Sequence, residues 1–214
     1  MIIAIDGPAG VGKGTLARRL AAHFDLQHLE TGALYRAVGL RVLRSGGDPH
    51  DPIAAAAAAG DLHVADLADP ALRSDEVAEA ASVVAAQKSV RQALLDFQRN
   101  FAKSPPGNAK GAVLDGRDIG TVICPDAEVK LFLVARPQVR AKRRYEELRA
   151  RGEPAIYARV LADIEIRDRR DANRGIAALK PADDAIEIDT SDLDADRVFE
   201  KALDAIERRT RRLG

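Results

Sequence analysis

Apolar residues follow two different spacings along this chain. Short runs of consecutive apolar residues, such as residues 1–5 and 112–114, are typical of strands buried on both faces of a parallel sheet. Longer segments carry apolar residues at every third or fourth position, which is typical of helices that bury one side. We predict strands at residues 1–5, 26–30, 61–65, 112–114, 128–134 and 185–189.

The helical spacing falls between these strands. Strands that alternate with helices favour the α/β class, with an open parallel sheet and helices on both faces. Right-handed crossovers bring the C-terminal ends of the strands to one edge, where the segments ending at Thr15, Asp118 and Arg136 should meet a ligand. We predict helices at residues 16–24, 31–43, 53–60, 75–86, 89–99, 137–151, 155–172 and 194–211.

A glycine-rich loop with the pattern Gly7-x4-Gly12-Lys13 separates the first strand from the first helix. Glycine lets the backbone N–H groups wrap an anion, and the helix N-terminus that follows adds a favourable dipole. Lys13 supplies a mobile charge for the terminal phosphates, whereas a plain glycine turn would need no lysine. We predict a nucleoside triphosphate site formed by Gly7, Pro8, Ala9, Gly10, Val11, Gly12, Lys13, Gly14 and Thr15.

One position of this loop departs from the common P-loop pattern. A serine or threonine usually follows the lysine, but here Gly14 follows it and Thr15 comes one position later. The form G-x-x-G-x-G-K-G-T resembles the P-loop of nucleoside monophosphate kinases, in which this shift is usual. We therefore interpret the loop as a complete phosphate site.

Composition narrows the classes of partner. The 214 residues suit one large domain or a core with small insertions, and equal numbers of basic and acidic residues, 33 each, argue against a nucleic-acid partner. Cys124 is the single cysteine, which excludes an internal disulfide framework and suits a reducing cytoplasm. The sequence enters its first strand without a secretory signal, and no apolar run approaches the roughly 20 residues of a membrane span. We expect a cytoplasmic protein with no membrane partner, acting as a monomer.

Two acids and an arginine follow the strand at residues 112–114. The first acid, Asp115, ends an apolar strand, and such a carboxylate in a P-loop protein commonly holds Mg²⁺ directly or through water. The run Asp115-Gly116-Arg117-Asp118 would place these charges in a tight turn beside the phosphates. Because two acids repel unless cations or donors are present, we favour a binding site over a solvated turn.

Arginines are dense between residues 136 and 174. Most of them should lie on the surface or in ion pairs, but Arg167, Asp171 and Arg174 stand at i, i+4 and i+7 and hence on one helical face. Guanidinium groups bind phosphate oxygens in bidentate fashion and keep their charge at neutral pH. Phosphoryl transfer needs such charge stabilisation, so we predict that this face acts on phosphates.

These motifs together resemble the bacterial cytidylate kinases over nearly the whole chain. The resemblance implies a P-loop kinase core at about 1–30, 92–149 and 176–214, a small monophosphate-binding insertion at about 31–91 and a short lid at about 150–175. It also implies transfer of the γ-phosphoryl group of ATP to CMP or dCMP with Mg²⁺. The matching segments are residues 7–15, 31–36, 80–86, 90–91, 115–121 and 167–174.

The resemblance also assigns roles to single residues. It implies that Ser82, Arg91 and Asp118 surround the cytosine, whose exocyclic amine can donate to a carboxylate. It implies that Lys13, Arg167 and Arg174 act on the transferred phosphoryl group, and that Asp171 binds the sugar hydroxyls. The remaining residues, which would hold the monophosphate, are Thr31, Arg36 and Arg117.

The chain departs from the family at two places. Glu30-Thr31-Gly32 stands where Asp-Ser-Gly is common, which retains an acid and a hydroxyl, and Thr31 could serve equally as the N-cap of its helix. Residues 61–82 are shorter than the antiparallel insertion of many members. The strictness against deoxycytidylate and uridylate is therefore left open.

Three other functions compete with this one. A kinase for another monophosphate, such as UMP, would not need the set Ser82, Arg91 and Asp118. A GTPase-like switch would carry Asn-Lys-x-Asp, which does not occur in this sequence. An RNA-binding protein is disfavoured by zero net charge and by few aromatic residues, with three Tyr, five Phe and no Trp.

Overall fold

A computed structural model describes residues 1–173 and 175–211 of the chain. It divides into two compact units, Met1–Leu29 with Ala102–Gly214, and Glu30–Phe101. The helices of the described residues are α1 (Lys13–Phe24), α2 (Thr31–Arg44), α3 (Pro52–Gly60), α4 (Asp75–Val84), α5 (Lys88–Lys103), α6 (Pro137–Ala150), α7 (Tyr157–Ala172) and α8 (Ala195–Thr210).

The first unit is built on a five-stranded sheet. Its strands are β1 (Ile2–Asp6), β2 (Gln27–Glu30), β3 (Ala112–Gly116), β4 (Val129–Val134) and β5 (Ile186–Asp189), in the order β2-β3-β1-β4-β5. β1 is central and pairs in parallel with β3 and β4, and β4 pairs in parallel with β5. The predicted open parallel sheet is confirmed.

The register brings the C-terminal ends of the strands to one edge. Asp6 stands opposite Gly116 on one side and Phe132 on the other, and Val134 stands opposite Asp189. The loops after β1, β3, β4 and β5 therefore share this edge, as expected from right-handed crossovers.

Helices α1 and α8 pack on one face of the sheet. The alternate residues Ile3 and Ile5 of β1 are fully buried, since successive side chains of a strand point to opposite faces. They form one cluster with Leu16 and Leu20 of α1 and Ile206 of α8. This core fixes the position of the first helix, and hence of the glycine loop that precedes it.

The second unit is helical. Leu40 of α2 is buried against Leu72 and Val77, and α2 and α4 approach closely at Gly39. A Cβ at Gly39 would lie 3.0 Å from the Cβ of Ala80, so only glycine fits without displacement. The helix pair carries several of the residues predicted to bind the acceptor.

One predicted strand, at residues 61–65, is wrong. A 3₁₀ helix, Val64–Ala68, begins there instead, and the His63 N–H donates to the Asp66 carboxylate at 2.8 Å. Asp side chains that bind nearby backbone amides favour such turns over strands. The helices lie within a few residues of their predicted bounds.

Thr31 is the first residue of α2, and the N-cap position belongs to Glu30, which makes no side-chain capping bond. The alternative that Thr31 caps this helix is therefore wrong. Thr31 is also buried rather than exposed.

Among residues 1–173 and 175–211, no helix combines the length and the apolar character that crossing a membrane requires.

Candidate active site

The glycine loop between β1 and α1 has the backbone conformation of a tight anion loop. Gly7, Gly10 and Gly12 all have positive φ, at 151°, 73° and 98°. A Cβ on Gly7 would lie 2.4 Å from the carbonyl oxygen of Leu133, so the loop passes closer to β4 than any side chain allows. The loop leads directly into the N-terminus of α1, where backbone amides and the helix dipole favour an anion.

Lys13 opens α1 and is buried. Its Nζ donates to the Pro8 carbonyl at 2.8 Å, across the mouth of the loop. Burial holds the pKa of Lys13 well below its usual range, and the positive charges of Arg117 and Arg167 lower it further. An incoming phosphate would favour the charged form of this lysine.

Asp6 ends β1 and is buried at the base of the loop. Its two carboxylate oxygens accept the backbone N–H groups of Ile119 and Gly120, each at 2.8 Å. Burial raises the pKa of Asp6 to about 6 against the opposing effect of these two bonds, and the charge of Asp118 raises it as well. Asp6 was not among the residues predicted from the sequence, although an acid directly before the glycine loop was a visible signal.

Asp115 lies on β3 beside the loop and is buried. Its Oδ2 would lie 3.6 Å from a Cβ on Gly14, and its Oδ1 lies 3.3 Å from Nε2 of His28 on β2. Within the described ranges, no group of three or more acidic, imidazole or thiol side chains could enclose a metal. Asp115 could contribute one carboxylate to a metal that phosphates and water also hold, which is the usual arrangement for Mg²⁺.

Arg117 and Asp171 form an ion pair. Nε of Arg117 donates to Oδ2 of Asp171 at 2.7 Å, and the Asp171 side chain on α7 is fully buried. Arg167 lies one turn earlier on the same helix, half-buried, and close enough to lower the pKa of Lys13. The predicted α7 face thus lies near the loop, while the predicted Arg174 lies outside the described residues.

Arg140 of α6 links the glycine loop to α7 through hydrogen bonds. Its buried guanidinium donates to the Ala9 carbonyl at 3.2 Å and to both oxygens of Asp168 on α7, at 2.9 and 2.5 Å. A Cβ on Gly10 would lie 3.3 Å from the Arg140 Cβ. Most arginines of this region were expected on the surface or in ion pairs, so the sequence predicted the pairing but not the support of the loop.

Thr190 supports the loop from the end of β5. Its Oγ1 donates to the Val11 carbonyl at 3.2 Å, and Arg143 donates to the Thr190 carbonyl at 2.6 Å. No sequence motif marks this pair. The loop is therefore held by side chains from α6 and from the segment after β5.

The second unit holds four of the predicted site residues. Thr31 is buried in the first turn of α2, and Arg36 donates to the Leu72 carbonyl at 2.8 Å. Ser82 is buried on α4. Arg91 donates to the Ala85 carbonyl, at the end of α4, at 3.3 Å.

A cation–π contact also involves Arg91. Its Cζ lies 5.5 Å from the centre of the Tyr35 ring, which is close enough for attraction between the guanidinium and the ring face. Tyr35 belongs to the matching segment 31–36 but was not predicted as a site residue. The contact joins α5 to α2 within this unit.

The sequence matches one protein family over nearly its full length. The sequence model of the cytidylate kinase family matches residues 3–208. A cytidylate kinase of Paramagnetospirillum magneticum is 60% identical over 205 residues, which cover 96% of this chain and 97% of that protein. A cytidylate kinase of Rhodopseudomonas palustris is 58% identical over 207 residues, covering 97% of this chain and 96% of that protein.

Solved structures show the same fold at low identity. An uncharacterized protein from Eubacterium ventriosum has a TM-score of 0.56 and 17% identity, covering 97% of this chain and 98% of its own. A gluconokinase from Sinorhizobium meliloti has a TM-score of 0.52 and 15% identity, covering 99% and 94%. At this identity the two structures speak for the fold alone.

Proposed function

The chain belongs to the cytidylate kinase family, and we propose that it transfers the γ-phosphoryl group of ATP to CMP or dCMP, giving CDP or dCDP. The family makes it a nucleoside monophosphate kinase, a phosphotransferase. The single observation that carries the proposal is the 60% identity over nearly the full length of both chains. This likeness favours cytidylates over another monophosphate such as UMP.

The glycine loop and Lys13 would bind the phosphates of ATP. Positive φ at the loop glycines and the N-terminus of α1 support this role, because they suit close approach by an anion. Lys13 sits in a buried position where its charge is costly, so a bound phosphate would be its natural counterion. Gly14 and Thr15, which complete the predicted site, form the first turn of α1.

Asp115 would hold Mg²⁺ through one carboxylate oxygen or through water. Its position beside Gly14 and its burial suit this role, whereas both oxygens of Asp6 already accept backbone amides. Bound Mg²⁺ would neutralise charge on the phosphates. His28, at 3.3 Å from Oδ1, would help to fix the orientation of the Asp115 carboxylate.

Acceptor recognition would fall to residues with complementary polar groups. Asp118 would accept from the exocyclic amine of cytosine, which uracil replaces by an acceptor, and a site built on such bonds rejects the analogue that leaves them unpaired. Ser82 and Arg91 would also bind the base. The other residues of the acceptor site would be Thr31, Arg36 and Arg117 for the monophosphate and Asp171 for the sugar hydroxyls.

The chemical step would need positioning and charge rather than a covalent nucleophile. An oxygen of the bound monophosphate would attack the γ-phosphorus in line, and the bond to the β-phosphate oxygen would break. Lys13, Arg167 and Arg174 would stabilise charge on the transferred group. Residues 150–175, as a lid, would exclude water and so prevent hydrolysis of ATP.

The chain would divide into a kinase core and a monophosphate-binding insertion. Residues 31–91 would form the monophosphate-binding insertion, and about 1–30, 92–149 and 176–214 the core. A single cysteine suits a reducing cytoplasm, and zero net charge argues against a polyanion partner, so the chain would act in the cytoplasm on small-molecule nucleotides, as a monomer. Light scattering of the purified chain would measure the oligomeric state directly.

Steady-state kinetics with CMP, dCMP, UMP and AMP would test the activity. We expect the two cytidylates to give the highest kcat/KM, and a preference of about tenfold or more for UMP or AMP would refute the assignment. Arg91→Ala should raise KM for CMP far more than KM for ATP. The control is Arg208→Ala, which removes an exposed arginine of α8 that pairs with Asp204 and should leave both constants unchanged.

A further inference from the structure

A π-helical turn, Ile119–Ile123, directly follows Asp118. The first amides of a helical turn lack partners within it, and the carboxylate of an aspartate at the N-cap position usually accepts the second or the third of them. Asp118 occupies this N-cap position but makes no capping hydrogen bond with its side chain. The Gly120 amide, the second of the turn, is therefore available to another group.

Asp6 binds the first two amides of the turn from β1. Its two oxygens accept the N–H groups of Ile119 and Gly120 at 2.8 Å each, although these residues lie 113 and 114 positions away in the sequence. A Cβ at Gly120 would lie 3.5 Å from Oδ2 of Asp6, which is an ordinary contact distance, so Asp6 and the turn pack directly against each other. The turn is thus capped by a distant strand rather than by its own N-cap residue.

We propose that Asp6 is a positioning residue for cytosine recognition: with the Ile119 amide it binds the Gly120 amide, which Asp118 would otherwise cap, and so keeps the Asp118 carboxylate directed to the base. This inference rests on the proposed role of Asp118. In this scheme Asp6 acts on the base only through the turn that its two oxygens bind.

The rest of the turn supports this division of roles. The Asp118 carbonyl accepts the N–H groups of Val122 and Ile123 at 2.9 and 3.2 Å, and the Ile119 carbonyl accepts that of Cys124 at 2.7 Å. The backbone of Asp118 is thereby fixed by the turn while Asp6 fixes the start of the turn. Burial raises the pKa of Asp6 to about 6, so the charged carboxylate lowers stability at neutral pH, as expected of a group kept for its function.

Selectivity kinetics on the full chain would test the inference. The measured quantity is the ratio of kcat/KM for CMP to that for UMP, in the wild type, Asp6→Asn, Asp118→Ala and the double variant. Asparagine offers one acceptor oxygen, so one amide of the turn would lose its partner and Asp118 would turn to cap it. We expect each single variant to lower the ratio by about tenfold, and the double variant to lower it no further than Asp118→Ala alone.

The outcomes separate the inference from the function on which it rests. An unchanged ratio in Asp118→Ala would refute the role of Asp118 and, with it, the inference. A lowered ratio in Asp118→Ala but not in Asp6→Asn would overturn the inference alone. A double variant whose loss equals the product of the two single losses would also overturn it, because Asp6 would then act independently of Asp118.

Two further variants control for folding. Asp204→Asn removes a carboxylate of the same unit that pairs with Arg208 on α8 at 2.8 Å, and it should leave the ratio unchanged. If Asp6→Asn does not fold, Asp6→Ser retains one acceptor in a smaller side chain and should give the same lowered ratio. Affinity for ADP, which the glycine loop would bind without Asp118, checks that each variant is intact.

Discussion

Asparagine in place of Asp6 should change how the stability of the protein depends on pH. The folded pKa of Asp6 is raised from 3.8 to about 6, chiefly because the carboxyl is buried. Between these values the folded state holds a proton that the unfolded state has released. The protonated Asp6 carboxyl therefore makes its full contribution to stability below about pH 4, and this contribution is lost as the pH rises through about 6.

The expected loss of stability follows from the shift in the pKa of Asp6. A pKa that moves from 3.8 to about 6 changes by about two units, and each unit corresponds to about 1.36 kcal/mol. The wild type should thus lose about 3 kcal/mol from this group across the window, whereas an asparagine cannot titrate. Because Asp6 is almost completely buried, solvent does little to screen this effect.

Urea unfolding at several pH values between about 3 and 8 would measure it, with each free energy of unfolding obtained by linear extrapolation. The free energy of the wild type minus that of Asp6→Asn should fall by about 3 kcal/mol as the pH rises. Asp184→Asn is the control of opposite sign. Its hydrogen bond from Lys130 lowers the pKa of Asp184, so the corresponding difference should increase with pH below about 4 and stay flat above it.

A difference curve for Asp6→Asn that is flat across this window would refute the reasoning. It would mean that the carboxyl is as well solvated, or as well stabilised by its two amide partners, as in the unfolded chain. A curve that rises with pH below about 4 and is flat above it would mean that the two hydrogen bonds from Ile119 and Gly120 outweigh burial.

Three further predictions concern the loop and its supports. Gly7→Ala should lower the free energy of unfolding in urea by more than about 3 kcal/mol, because its Cβ would lie 2.4 Å from the Leu133 carbonyl oxygen. The control Gly60→Ala should leave this free energy nearly unchanged, because nothing lies within 4 Å of the added Cβ. Arg140→Met should lower the free energy of unfolding by about 2–3 kcal/mol in the same assay, because it leaves Asp168 unpaired. It should also lower kcat, because the loop loses the hydrogen bond at the Ala9 carbonyl. An unchanged unfolding midpoint would contradict the first expectation. At a pH above the lowered pKa of Lys13, ATP binding should take up protons because phosphate favours the charged lysine, so calorimetric heats should vary with the ionisation enthalpy of the buffer in the wild type and not in Lys13→Met.

The sequence predicted those parts of the site that depend on local spacing. The glycine loop and Lys13 lie within one short segment, and the interval between Arg167 and Asp171 marks one helical face, so both could be found without a fold. The open parallel sheet followed from the alternation of strands and helices. Asp115 was selected because it ends an apolar strand, and in the structure it lies beside Gly14 of the glycine loop.

The missed features depend on pairs that are distant in sequence. Asp6 meets Ile119 across 113 positions, and Arg140 meets Ala9 across 131, so no periodic pattern connects them. The false strand at residues 61–65 has a local cause, the capping of a turn by Asp66, which apolar spacing does not reveal.

The contact between Thr190 and the glycine loop bears on how the protein is made. Thr190 Oγ1 reaches the Val11 carbonyl across 179 positions, and Arg143 in turn holds Thr190. During synthesis the loop leaves the ribosome early, but its last support is translated only when most of the chain already exists. Long-range contacts of this kind slow folding, because their loops must close before the contacts stabilise anything. Tight nucleotide binding should therefore appear only after β5 has joined the sheet, so nucleotide can act as a late stabiliser of the finished fold and not as a template for its first steps.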